Sequence, residues 1–93
     1  MLVVDIGGSN VKVLATGQEK RVKIPSGPEL PPQDMVDAVL TETAEWEFEA
    51  ISIGYPGPVV NGQPAVEPKN LGDGWMTFAY ESAFGKPVTI INA

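Results

Sequence analysis

The sequence contains no cysteine and no histidine. Without cysteine there are no disulfides and no thiolate metal sites. Without histidine the commonest general base and the commonest transition-metal ligand are both missing. Acid–base chemistry would have to use carboxylates or lysine. Basic residues are also scarce: six Lys and Arg stand against twelve Asp and Glu, for a net charge of −6. No basic stripe is available to neutralise a nucleic-acid backbone, so no nucleic-acid partner is expected. A small phosphate is a different matter, because backbone N–H groups and one lysine are enough to bind it. No run of about 18 apolar residues exists, so no membrane partner is expected. The start, Met1-Leu2-Val3-Val4-Asp5, lacks the basic opening of a signal peptide, and a cytoplasmic location is expected.

At 93 residues the chain is one domain at most, with room for a single modest core. Leu2–Ile6 is a short branched-apolar run that suits a buried central strand. Gly7-Gly8-Ser9-Asn10 forms a turn cluster. Beyond it Val11, Val13 and Ala15 alternate with Lys12, Leu14 and Thr16. A third strand is expected over Glu19–Ile24. A Pro/Gly-rich loop, Pro25–Pro32, precedes a helix predicted from Pro32 or Gln33 to Glu47. Its apolar positions are Val36, Val39, Leu40, Thr43 and Ala44. Ala50–Gly54 reads as another buried strand. The segment 55–74 is rich in turn residues, with Val59-Val60 and Ala65-Val66 suggesting a small hairpin around Asn61-Gly62. A second helix is predicted from Met76 or Thr77 to Phe84, stopped by Gly85, before a last strand Val88–Asn92.

The order is β-β-β-α-β-α-β. Right-handed crossovers through the helices place the two later strands parallel to the first. The expected fold is α/β, a mixed five-stranded sheet with strand one central and strand two antiparallel to it. Ligands in such sheets gather at the carboxyl ends of the parallel strands. Here those ends carry Asp5, the Gly54–Gly57 corner and Asn92.

Asp5 enters the Gly-Gly turn, where it could cap local N–H groups or hold a metal. Gly7 and Gly8 allow close backbone approach to an anion, Ser9 and Asn10 add side-chain donors, and Lys12 lies just beyond. Trp46, Phe48 and Trp75 read as packing aromatics. Asn70 reads either as a turn former beside Gly72 or as a ligand contact.

The run Asp5-Ile6-Gly7-Gly8-Ser9-Asn10-Val11-Lys12 resembles the first phosphate motif of the actin-hexokinase superfamily, and most closely that of the ROK sugar kinases in their polyphosphate-glucokinase-like branch. Gly54-Tyr55-Pro56-Gly57-Pro58-Val59 resembles the family's G-x-P-G-x-V corner. Asn70-Leu71 followed by Trp75 resembles its Asn-Leu-to-Trp segment, and Val88–Asn92 the strand that ends in its Asn-Asp pair. The resemblance implies an RNase H-like (actin-like ATPase) half-domain over residues 1–93, with the family's C-terminal domain absent. It implies Mg²⁺ at Asp5, donor phosphate at Gly7, Gly8, Ser9, Asn10 and Lys12, and a hexose at Gly57, Asn70 and Asn92. ATP or polyphosphate would be the donor and glucose the expected acceptor. For the full-length family it leaves a homodimer open.

The family places an aspartate after this asparagine to take the proton from the sugar hydroxyl. Here Ala93 follows Asn92, so no catalytic residue is assigned. Either that aspartate is replaced or the sequence is cut or joined there. The expectation is a glucokinase-type half that is inactive alone. The alternative is a non-catalytic half-domain, isolated or engineered, that binds phosphate weakly. A nuclease of the same strand order would need clustered carboxylates for two metals. Glu67, Asp73 and Glu81 are available, but none ends a strand.

Overall fold

The first strand, β1 (Leu2–Ile6), is the middle of the sheet. A computed structural model describes residues 1–17, 21–27, 29–68 and 71–92. Leu2, Val4 and Ile6 turn one way into the core, while Val3 and Asp5 face the other side. The second strand, β2 (Asn10–Ala15), pairs antiparallel with β1 and buries Val11, Val13 and Ala15, as the alternation predicts. The third, β3 (Arg21–Pro25), pairs antiparallel with β2. The predicted residues Glu19 and Lys20 of that strand lie outside the described residues, and the strand runs one residue past Ile24.

The helix α1 (Pro32–Glu42) begins with Pro32 in its first turn and has Asp34 there to meet the positive end of the helix dipole. It buries Pro32, Met35, Val36 and Val39. It ends five residues before the predicted Glu47. The reason is local: Thr43 donates both its backbone N–H (3.0 Å) and its hydroxyl (2.8 Å) to the Val39 carbonyl. Its φ and ψ of −110° and 18° then leave the helical region. Ala44, expected on the apolar face, is exposed.

The next strand, β4 (Ile51–Tyr55), pairs parallel with β1, placing Asp5 beside Gly54. A hairpin follows, β5 (Val59–Val60) and β6 (Gln63–Pro64). Asn61 and Gly62, with φ of 53° and 75°, make the left-handed two-residue turn that this pair favours. The second arm is Gln63–Pro64, not Ala65-Val66, because a two-residue turn sets Val60 opposite Gln63.

The second helix, α2 (Tyr80–Phe84), starts later than Met76. Ala79, with φ and ψ of −91° and 84°, lies outside the helical region, so the helix begins only after it. Gly85, at φ 70°, is the left-handed stop that the sequence predicts. The last strand, β7 (Val88–Asn92), pairs parallel with β4. The sheet order is β3-β2-β1-β4-β7. The core lies between the sheet and the helices, and Trp75, Tyr55, Met35 and Ile53 are among its buried members. Among the described residues, no helix is long and apolar enough to cross a membrane.

Candidate functional site

Register builds the site. Because Asp5 pairs with Gly54 on one side and with Lys12 on the other, and Lys12 pairs in turn with Lys23, these four form one row across the sheet. The row lies on the face opposite the core, where Asp5, Lys12 and Lys23 are exposed. Directly opposed side chains in such a row have Cβ atoms about 5 Å apart. One carboxylate and two ammonium groups therefore stand together at the C-terminal end of β1. Gly54, without a side chain, leaves space beside Asp5. The next row holds Val3, Leu14 and Arg21, and the two rows line a shallow groove.

The Gly7–Asn10 turn lies just past this row. The Gly7 N–H donates to the Asn10 carbonyl at 2.9 Å. A Cβ on Gly7 would stand 3.0 Å from that carbonyl oxygen, so the turn needs glycine there for close approach. Gly8 and Ser9 are exposed and Asn10 is half-buried. The structure thus brings Asp5, Gly7, Gly8, Ser9, Asn10 and Lys12 together. The sequence reading missed Lys23, which only the β2–β3 register reveals.

Of the residues expected at a hexose, Gly57 and Asn92 come together. Tyr55 pairs with Asn92 across the ends of β4 and β7, and the Asn92 side-chain amide donates to the Gly57 carbonyl. That bond leaves the Asn92 Oδ1 as an acceptor. Asn70 and Ala93 lie outside the described residues. The described residues on either side, 67–68 and 71–76, are held by hydrogen bonds. The Glu67 carboxylate accepts three backbone N–H groups, from Gly74 (3.0 Å) and Trp75 (2.9 Å) on Oε1 and from Met76 (3.1 Å) on Oε2. The Trp75 indole donates to the Leu30 carbonyl at 3.2 Å, as does the Gly72 N–H at 2.9 Å. The Tyr80 hydroxyl donates to the Trp75 carbonyl at 2.6 Å, and the Tyr55 hydroxyl to the Val66 carbonyl at 2.7 Å. Trp75 is fully buried, as a packing residue should be.

Burial, with the Glu67 charge nearby, pushes the Tyr55 hydroxyl up to about 12. Burial raises Tyr80 further, with Tyr55 and Glu67 adding to the effect. Both tyrosines are therefore neutral hydrogen-bond donors across the physiological range. Glu67 could not be singled out from sequence as the loop's anchor, since nothing in the spacing shows which amides it meets. Glu81 is likewise engaged, accepting the Val88 N–H at 3.0 Å. Among the described residues, no group of three or more Asp and Glu could hold a metal by itself.

No family model and no curated protein matches the chain by sequence. Solved structures match it by shape. A ROK family glucokinase from Streptomyces griseus, solved with glucose and AMPPNP, superposes with a TM-score of 0.65 at 24% identity over 99% of this chain. The chain shares the actin-like ATPase fold of this neighbour. A ROK family protein from Streptococcus pneumoniae, solved with sucrose, gives 0.65 at 22% identity over 99% of the chain. A candidate N-acetylmannosamine kinase from Listeria monocytogenes gives 0.61 at 23% over 98%. The chain spans 33% of the first of these structures and 34% of each of the other two.

Proposed function

We propose that this chain is the N-terminal part of a cytoplasmic ROK-type sugar kinase, gripping the phosphoryl donor on one side and a hexose on the other. The observation that carries the reading is that two corners lie at the same end of the sheet. The glycine turn with Asp5 and Lys12 closes the end of β1, while Asn92 holds Gly57 at the ends of β7 and β4. Glucose is the proposed acceptor. ATP or polyphosphate is the proposed donor, and the AMPPNP held by the Streptomyces glucokinase favours a nucleotide.

Phosphoryl transfer depends mainly on alignment and on stabilising charge. Backbone N–H groups of the turn and the Lys12 ammonium would hold the donor's terminal phosphates. The Asn92 Oδ1 and the Gly57 corner would orient the sugar hydroxyl. One exposed carboxylate suits a magnesium ion held partly by water and partly by the donor's own phosphates. There the ion would neutralise charge on the transferred group. With Ala93 at the position where the family places its base, these 93 residues lack that group, and the isolated chain is expected to be inactive.

The test is an assay of the purified chain with glucose and either ATP or polyphosphate, beside a longer form that carries Asp at position 93 and the remainder of the kinase. No turnover from the short chain and glucose-dependent turnover from the long form is the expected result. A long form inactive on every hexose with both donors would sink the kinase reading. Turnover by the short chain would sink its inactivity.

A further inference from the structure

The turn between β1 and β2 is held in shape by a residue that lies outside it. Ser26 follows β3, two strands away from β1. Its hydroxyl donates to the Gly7 carbonyl at 2.9 Å, and its backbone N–H donates to the Ser9 carbonyl at 3.1 Å. A trans peptide points its C=O and the next residue's N–H in opposite directions. With the Gly7 carbonyl drawn to Ser26, the Gly8 N–H faces away from it. With the Ser9 carbonyl drawn the same way, the Asn10 N–H also faces away. One residue thus orients two peptide planes of the turn.

The orientation needs an anchor because the plane between Gly7 and Gly8 joins two glycines, whose wide φ range makes a flip cheap. A flipped peptide would put a carbonyl oxygen where an N–H had been. Toward a phosphate that exchanges an attraction for a repulsion. We infer that Ser26 is a positioning residue for phosphate binding, holding the Gly8 and Asn10 N–H groups in the orientation that receives an anion. The inference rests on the phosphate role proposed above for this turn.

The ¹⁵N-labelled chain is titrated with magnesium tripolyphosphate and the Gly8 and Asn10 amides are followed by NMR. In the wild type both signals shift and saturate. Ser26→Ala weakens the apparent affinity about fivefold, the usual net worth of one neutral hydrogen bond, and Ser26→Thr restores it to within about twofold. The amides of Ile53 and Ile90, in the buried sheet, report that the fold persists. Should Ser26→Ala fail to fold, Ser26→Cys takes its place, keeping the shape with a weak donor. Equal affinity of wild type and the hydroxyl-less variant overturns the role of Ser26 and leaves the phosphate reading standing. So does a loss that threonine does not rescue. Silent Gly8 and Asn10 amides in the wild type overturn both.

Discussion

Replacing Glu67 by alanine removes the acceptor of three backbone N–H groups at once. A hydrogen bond to a charged group contributes about 1.5–3 kcal/mol when its partner cannot turn to water. The Met76 amide lies on an exposed residue and regains water, so it contributes little. The Gly74 and Trp75 amides are partly buried, and Trp75 anchors the core through its indole and through Tyr80. Both of these bonds are only part-buried, so water recovers part of each, and the expected loss for Glu67→Ala is about 2–3 kcal/mol. Glu67→Gln, which keeps one oxygen acceptor but loses the charge, should lose about 1 kcal/mol. In a domain of this size each kcal/mol moves the melting midpoint by about 4–8 °C, so the alanine variant should melt roughly 10–20 °C lower. Urea denaturation followed by tryptophan fluorescence measures the free energy, and amide exchange at residues 74–76 locates it. An alanine variant within about 0.5 kcal/mol of wild type, with those amides still protected, would refute the idea that this carboxylate anchors the loop.

Two further outcomes can be checked on the same preparation. A Cβ added at Gly72 would stand 2.7 Å from the Glu29 carbonyl oxygen and 3.0 Å from that of Leu30, both rigid backbone, so Gly72→Ala should cost about 2–3 kcal/mol in urea; a neutral result would mean that the segment at 29–30 gives way freely. Tyr55 and Tyr80 are both raised above the ordinary tyrosine value of 10.0, so folding holds their protons more tightly. That stability is complete below about pH 10 and is lost as pH climbs through about 12, where Tyr55 ionises in the folded chain. Urea midpoints that stay flat from neutral pH to beyond pH 11 would contradict the assignment.

Much of the fold is legible in the sequence because its signals are local. The alternation of Val11, Val13 and Ala15 shows which face of β2 is buried. Asn61-Gly62 and Gly85 mark backbone positions that need left-handed φ. The order of strands and helices is enough to put β1 in the centre. The element ends are less legible, because tertiary or side-chain bonds decide them. Thr43 closes α1 by bonding back to Val39, although its neighbours would continue a helix. The start of α2 is set at Ala79, whose φ and ψ of −91° and 84° are not helical although its neighbours are compatible with a helix. In the site, the residues of the glycine turn and of the two strand ends could be named from type and position. Lys23 and Ser26 could not, since their places depend on a pairing register that no short motif contains.

That register has a consequence for how the domain can change over evolutionary time. Asp5, Gly54, Lys12 and Lys23 are tied to one another through ladder hydrogen bonds, and Tyr55 to Asn92 in the same way, not through the segments that link the strands. Lengthening a surface connection costs only the slowly growing entropy of a larger loop. Insertions at the Asn61-Gly62 turn, or between Thr43 and Ile51, would leave the spacing of the site untouched. A single residue gained or lost inside β1, β4 or β7 would instead turn every following side chain in that strand to the opposite face. Asn92 would then trade sides with Ile91, and the corner would lose its contact with Gly57.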